Sequence, residues 1–289
     1  MSTITLFVVN PISGDHDKAS MVNTIKTWAQ SSGQAIEVWE TTGENDQEKL
    51  KDKIDEIDPG KVISVGGDGT VTLCASLIID TQILLGIIPS GSANGMGTEL
   101  RLPSDIEENL KIIEKGSFRV CDILMFNNNV PGLHISDIGL NAGLVKRFEE
   151  GERRGFLGYA QGLVAQLQDS EPFKVSVKTE NFSLEKECLM LALGNARRYG
   201  TGAILNSKGK IDDGLLELSF LKSINLAEIA GHFFEIVNED SEHMETYQCK
   251  KAEIKLSRKV PFQIDGELQV ETDTLTVEVV PSCLRIISP

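Results

Sequence analysis

The chain has 289 residues, 43 of them acidic against 28 basic, for a formal net charge of −15. That balance argues against nucleic-acid binding and against simple electrostatic adhesion to anionic lipid, since both draw on clustered Lys and Arg. The length favours two domains, and no apolar run approaches the roughly 20 residues that a membrane span needs.

Residues Ile4 to Val9 read as a buried strand, too short and uncharged for a leader peptide, so a cytoplasmic setting is expected. Met21, Val22, Ile25, Trp28 and Ala29 then recur at helical spacing up to Gly33, which suits a C-terminal cap. Ile36 to Trp39 is a second strand. Leu50, Ile54 and Ile57 mark one face of a helix that Pro59 and Gly60 end. The apolar run Val62 to Val65 leads into GGDGT, Gly66 to Thr70, followed by a helix over Val71 to Ile79. Ile83 to Ile88 repeats the strand, and Ser104 with Glu107 forms a capping-box pattern ahead of a helix with Ile106, Leu110 and Ile113 inward and Gly116 at its end.

After about residue 118 the rhythm changes to period two, at Lys174 to Lys178, Glu187 to Leu193, Leu215 to Leu221 and Thr274 to Val280, with helices expected over Phe156 to Gln168 and Asn225 to Asn238. The expected fold is therefore an α/β N-terminal domain with a doubly wound parallel sheet, followed by an antiparallel β domain. The expected division is 1–122, with a tail 280–289 returning to it, and 123–279. Five cysteines lie apart without a CxxC pair, and four histidines fall in no metal-ligand spacing, so neither a disulfide framework nor a zinc site is expected.

The chemistry concentrates in strand-end loops. In GGDGT the glycines free the backbone to approach a ligand, and a helix starting just behind adds unpaired N–H donors and a positive dipole end. A carboxylate beside phosphates repels them unless a cation intervenes, so Asp68 reads as a Mg²⁺ contact, direct or through water. NPISG (Asn10 to Gly14) and PSGSANG (Pro89 to Gly95) also follow strands, while Asp212, Asp213 and Gly214 precede one. Asp265, Gly266 and Glu267 suit a hairpin turn. KRFEEGERR (146–154) mixes both charges and reads as a solvated surface. A sharper reading brings Arg153 and Arg154 to ATP or a lipid headgroup. No GxxxxGK[ST] or GxSxG sequence occurs, against a P-loop enzyme or an α/β-hydrolase.

Together NPISG, GGDGT, PSGSANG, RRYGTG (197–202), KIDDGLL and DGE resemble, in this order, the diacylglycerol-kinase-type lipid kinase family, most closely its compact bacterial soluble members. The resemblance implies a NAD-kinase-like first domain and a C-terminal β-sandwich that takes the lipid. It implies ATP held by Asn10, Thr41, Gly66, Gly67, Asp68, Gly69, Thr70, Ser92 and Asn94, and a general base at Glu267. It also implies Mg²⁺ in two roles: a structural site of Asp213 with the carbonyls of Lys210 and Leu215, and a water-linked catalytic network in which Asp122 joins Asp68. One departure stands out: many members carry Asp immediately after the loop asparagine, whereas Gly95 follows Asn94 here, which removes a candidate Mg²⁺ contact.

The implied activity is ATP-dependent, Mg²⁺-dependent phosphorylation of a lipid hydroxyl, on diacylglycerol or a related lipid, by a protein in transient contact with a membrane surface. Two other readings stay open: an NAD-kinase-like enzyme with a soluble acceptor, and a nucleotide-binding regulator without catalysis. The sequence names neither the lipid nor the oligomeric state, and a homo-oligomer is compatible with it.

Overall fold

The computed structural model describes residues 4–14, 17–92, 94–139, 171–197, 206, 209–223 and 242–289. The helices expected over 156–168 and 225–238, the segment 146–154 and most of 197–202 lie outside the described residues. The chain divides into two compact units, Met1–Cys121 with Ser282–Pro289, and Asp122–Pro281.

The first unit alternates strands and helices: β1 (Thr5–Val9), α1 (Lys18–Ser32), β2 (Ile36–Glu40), α2 (Asp46–Ile57), β3 (Lys61–Gly66), α3 (Asp68–Ser76), β4 (Leu84–Pro89), α4 (Gly95–Glu99) and α5 (Ile106–Lys115). Its strands pair in parallel in the order β2, β1, β3, β4. The end of the last strand of the chain, β14 (Glu267–Ile287), adds to β4, also in parallel, at Arg285 and Ile286. β1 is buried throughout and β3 nearly so, as expected of parallel strands covered on both faces. Phe7, Ile63 and Ile88 pack with Ile25 of α1 and with Leu110 and Ile113 of α5.

Local chemistry sets the helix ends. The Asp17 carboxylate accepts the Ser20 amide at 3.2 Å to start α1, and Gly33 takes φ +67° to close it. Helix α5 starts one residue later than the capping-box pattern implied. Asp105, not Ser104, is the cap and accepts the Glu108 amide at 2.9 Å. The two positions are nearly equivalent in sequence, and only the backbone geometry distinguishes them. Helix α3 also differs from expectation, because it begins at Asp68, inside the glycine loop.

The second unit is antiparallel. It takes in the end of β5 (Phe118–Phe126), then β6 (Val130–Gly132), β7 (Ile135–Ile138), β8 (Phe173–Thr179), β9 (Ser183–Cys188), β10 (Met190–Gly194), β11 (Leu216–Leu221), β12 (Met244–Cys249), β13 (Lys251–Ile264) and most of β14. β13 pairs with β7, β8 and β14, and β10 pairs with β7 and β11. β8 alternates buried and exposed residues, the mark of a strand with one face on a core. That core holds Phe126, Phe173, Phe220 and Phe262. The single strand expected over 187–193 is two strands, broken at Leu189, whose amide bonds instead to the Leu221 carbonyl at 2.8 Å. All five cysteines are buried and free, and no helix among the described residues is long and apolar enough to cross a membrane.

One polar cluster ties β9, β11 and β12 together. Glu245 accepts from Lys186 at 2.6 Å, Lys222 at 2.9 Å and the Tyr247 hydroxyl at 3.0 Å. These donors, Lys186 first, bring its carboxyl down to about 2 from 4.5. A depressed carboxylate contributes stability above its unfolded pKa and loses it on acidification. Glu245→Gln is therefore expected to lower stability by about 1 kcal/mol or less near neutrality. In urea unfolding at a series of pH values, the difference from wild type should close as pH falls from 4.5 towards about 2.

Candidate functional site

In the first unit, the ends of β1, β2, β3 and β4 lie along one edge of the parallel sheet, where ligands of open α/β sheets bind. The Asn10 amide bonds to the Val65 carbonyl at 3.0 Å and the Thr41 amide to the Val9 carbonyl at 2.9 Å, so both residues sit at strand ends on this edge, Asn10 next to the glycine loop and Thr41 one strand further out. Asn10 also shapes its own loop. Its side-chain oxygen accepts the Ile12 amide at 3.1 Å, and its carbonyl accepts the Ser13 hydroxyl at 3.1 Å.

The three loops meet through bare backbone. A Cβ on Gly91 would collide with Gly67 Cα, and a Cβ on Gly14, whose φ is +60°, would collide with the Ser90 carbonyl oxygen. A Cβ on Gly66 would strike Thr70 Oγ1, which explains why the buried Thr70 follows a glycine pair. Gly67 then caps α3 with no side-chain bond, so the leading amides of this helix, including that of Gly69, remain for an outside acceptor. The cradle fits a polyphosphate: strand ends, unencumbered backbone and a free helix N-terminus coincide.

Asp68 has a defined destination within the unit. Its Oδ2 accepts the Gly95 amide at 2.8 Å, and its Oδ1 accepts the Met96 amide at 3.3 Å. The residue thus ties GGDGT to the loop that opens α4. Asn94 is turned inward, with φ +56°, donating to the Gly91 carbonyl at 2.7 Å and accepting the Gly91 amide at 2.8 Å. The two bonds hold that loop in shape. Ser92 lies in the same loop and is exposed.

Lys18 carries no sequence signal, yet it is buried at this junction, its Nζ donating to the Ser90 carbonyl at 3.0 Å. Burial pushes its pKa below the ordinary lysine value. Only its spacing from Gly14 could have pointed to it.

In the second unit, Asp122, Asp213, Lys210 and Leu215 come together at one turn. The Asp122 Oδ2 accepts the Gly214 amide at 2.6 Å, and its backbone amide bonds to the Ile211 carbonyl at 2.7 Å. Asp213 Oδ1 accepts the Leu215 amide at 3.1 Å. Burial pushes the Asp213 carboxyl up, and the neighbouring Asp122 and Asp212 charges push it the same way. Carboxylates gathered at one turn suit a divalent cation, and Lys210 and Leu215 flank that turn. Among the described residues no group of three or more His, Cys, Asp or Glu side chains is placed to hold a metal by itself, so backbone oxygens and water would have to complete such a site.

Glu267 is exposed at the first position of β14, paired with Ile264 across a turn in which Asp265 has φ +49° and Gly266 φ +91°. This is the hairpin geometry of an Asp-Gly pair. The turn is clamped from beneath: Asp265 accepts the amides of Leu133 at 2.7 Å and His134 at 2.9 Å, and Gln263 Oε1 accepts the Gly266 amide at 2.5 Å. Gln263 in turn donates to the buried Asp137. Asn195 donates to the carbonyls of Asp122 at 2.9 Å and Leu133 at 3.1 Å, joining the two carboxylate-bearing regions of this unit. Asp137, Asn195 and Gln263 escaped the sequence reading because a polar residue in a strand pattern reads as solvent-facing.

Residues 5–126 match the sequence profile of the diacylglycerol kinase catalytic domain, and residues 136–288 match that of the YegS C-terminal NAD kinase beta sandwich-like domain. The chain belongs to the diacylglycerol-kinase-type lipid kinase family. It is similar to a Klebsiella pneumoniae strain 342 protein named "Probable lipid kinase YegS-like", with 26% identity over 262 residues, 89% of this chain and 87% of that one. An Escherichia fergusonii protein named "Probable lipid kinase YegS" is 24% identical over 289 residues, covering 97% and 94% of the two chains. In structure the chain is similar to a diacylglycerol kinase from Bacillus anthracis strain Sterne, at a TM-score of 0.79 and 21% identity over 100% of this chain and 97% of that one. That likeness concerns the fold: a parallel α/β domain and an antiparallel β-sandwich.

The glycine contacts make a graded prediction. Gly91→Ala, which meets backbone head-on, is expected to lose about 1–3 kcal/mol in chemical denaturation. Gly67→Ala, whose Cβ would sit 3.3 Å from Gly91 Cα, should lose less. Equal stability of all three proteins would show that the loops do not touch through backbone.

Proposed function

We propose that the protein is an ATP-dependent lipid kinase that transfers the γ-phosphate to a hydroxyl of diacylglycerol or a related lipid, with Mg²⁺. The observation that carries this reading is the meeting of Gly14, Gly67 and Gly91 without intervening side chains, in front of an uncapped helix. Membership of a lipid kinase family supports the same donor chemistry and typically brings a divalent metal with it.

In this reading the Gly66 to Thr70 loop, through leading helix amides such as that of Gly69, and the Ser92 and Asn94 loop hold the phosphate chain, while Asn10 and Thr41 border it. Glu267 takes the proton of the acceptor hydroxyl as that oxygen bonds to the γ-phosphorus. The bond from the γ-phosphorus to the bridging oxygen breaks, and ADP leaves. Glu267 suits the role because its carboxylate is exposed and unpaired among the described residues, on a turn fixed by Asp265 and Gln263. Mg²⁺ neutralises phosphate charge when bound. Asp68, beyond the two amides it accepts, would meet the ion through water, and Gly95 gives its amide to Asp68 at the position where the family resemblance implies Asp in many members. Asp213, with Lys210, Leu215 and the neighbouring Asp122, would hold the structural ion.

The acceptor would be a lipid presented at a membrane surface to a cytoplasmic enzyme in transient contact with it. A soluble acceptor is the second reading, favoured by the likeness of residues 136–288 to an NAD-kinase-type sandwich. Transfer of labelled γ-phosphate to micellar diacylglycerol, monoacylglycerol, phosphatidylglycerol, sphingosine and ceramide, with NAD alongside, separates the two. Label is expected in one lipid, and Glu267→Gln is expected to cut turnover by about 10²–10⁴-fold with ATP affinity unchanged. Full turnover in Glu267→Gln would remove the base assignment, and label in NAD alone would replace the lipid reading.

A further inference from the structure

We propose that the Lys18 ammonium is a direct contact of the nucleotide's phosphate chain, a binding residue supplied by the start of α1 rather than by any of the glycine loops. The inference rests on reading those loops as the nucleotide site.

Position is the first argument. Lys18 is 7% exposed, and its Nζ donates at 3.0 Å to the carbonyl of Ser90. That same carbonyl oxygen is the atom a Cβ on Gly14 would strike, and the next residue, Gly91, lies against Gly67. The cation therefore stands where all three loops touch.

Charge is the second. NPISG, GGDGT and PSGSANG contain no Lys or Arg and do contain Asp68. Backbone amides and a helix dipole solvate a polyphosphate without neutralising it, so a fixed cation at the junction fills a gap the loops leave. Lys49, the basic residue next to Thr42, is exposed and committed to the Thr42 hydroxyl at 3.1 Å and the Glu44 carbonyl at 2.7 Å.

Cost is the third. Lys18 is the first residue of α1, where the helix dipole disfavours a positive charge, and the first turn of that helix contains no acidic residue. No carboxylate pairs with the ammonium among the described residues, and burial pushes its pKa down. A single carbonyl satisfies one of three donors. With the neighbouring Asp17 carboxylate committed to the Ser20 amide, a buried cation without an ion-pair partner among the described residues breaks the local rules, which is the pattern of a functional position. An anion at the junction supplies the missing partner.

A merely structural strut would have the same bond to Ser90, so the test separates charge from donor capacity. Calorimetric titration of wild type, Lys18→Gln and Lys18→Arg with ATP, inorganic tripolyphosphate and adenosine is the first measurement. Lys18→Gln is expected to lose roughly tenfold or more in affinity for ATP and tripolyphosphate while adenosine is unchanged, and Lys18→Arg should recover most of the loss. Retained tripolyphosphate affinity in Lys18→Gln, or an equal loss for adenosine, would overturn the proposal in favour of a strut. Should the variants fail to fold, the wild-type protein decides the question. An acyl-phosphate derivative of ATP transfers its acyl group to a lysine amine at the phosphates and expels ATP. Peptide mass spectrometry is expected to find Lys18 acylated and protected by excess ATP, and acylation only elsewhere would overturn the inference. If the wild type binds neither ATP nor tripolyphosphate, the nucleotide reading fails first.

Discussion

Close packing of unsubstituted backbone is the constraint on which the first unit's site depends. Gly91 lies against Gly67 with no room for a Cβ of its own, and Gly14 reaches the Ser90 carbonyl on the same terms. Loops this close bring bare backbone to the start of α3, whose leading amides, with the positive end of the helix dipole, favour an anionic ligand such as phosphate. Asp68 secures the arrangement by accepting the Gly95 and Met96 amides, and Asn94 by bracketing Gly91. These residues act on the loops first, and whatever they do for a ligand follows from the shape they hold.

The second unit solves a different problem with buried polar groups. Asp265 and Gln263 hold the turn that bears Glu267, and Asn195 links the Asp122 strand to the Leu133 loop. Glu217 belongs to the same strategy: it is buried, its carboxyl is pushed up by that burial, and Gln248 and Asn206 bond to it. Buried networks of this kind are costly when half-satisfied and rigid when complete. Here Asp265 and Gln263 fix the exposed carboxylate of Glu267 on a defined backbone.

What the sequence revealed was what is local. Glycine loops behind apolar runs, the Gly33 and Gly116 helix ends and the Asp265-Gly266 turn depend on residues a few positions apart, so their pattern is visible in one dimension. The parallel sheet followed from strands alternating with helices, and the antiparallel unit from period two. Small errors arose where neighbouring residues compete for one role, as with Ser104 and Asp105, or where a strand is interrupted by a single residue, as at Leu189. Long-range partners were invisible. Asp68 meets an amide 27 residues away, Lys18 a carbonyl 72 away and Asp122 an amide 92 away, and no periodicity encodes such pairs. The hidden residues share a feature: Lys18, Asp137 and Gln263 are polar side chains that tertiary structure buries against the usual preference.

The central claim is that nucleotide phosphates rest on the loops gathered around Gly67 and Gly91. Amide hydrogen exchange followed by mass spectrometry, with and without ATP and Mg²⁺, tests it directly. The account predicts slowed exchange in peptides covering Gly66 to Thr70 and Ser90 to Met96, with adenosine alone giving much less protection there. Protection confined to other segments, or none in these two under saturating ATP, would contradict it.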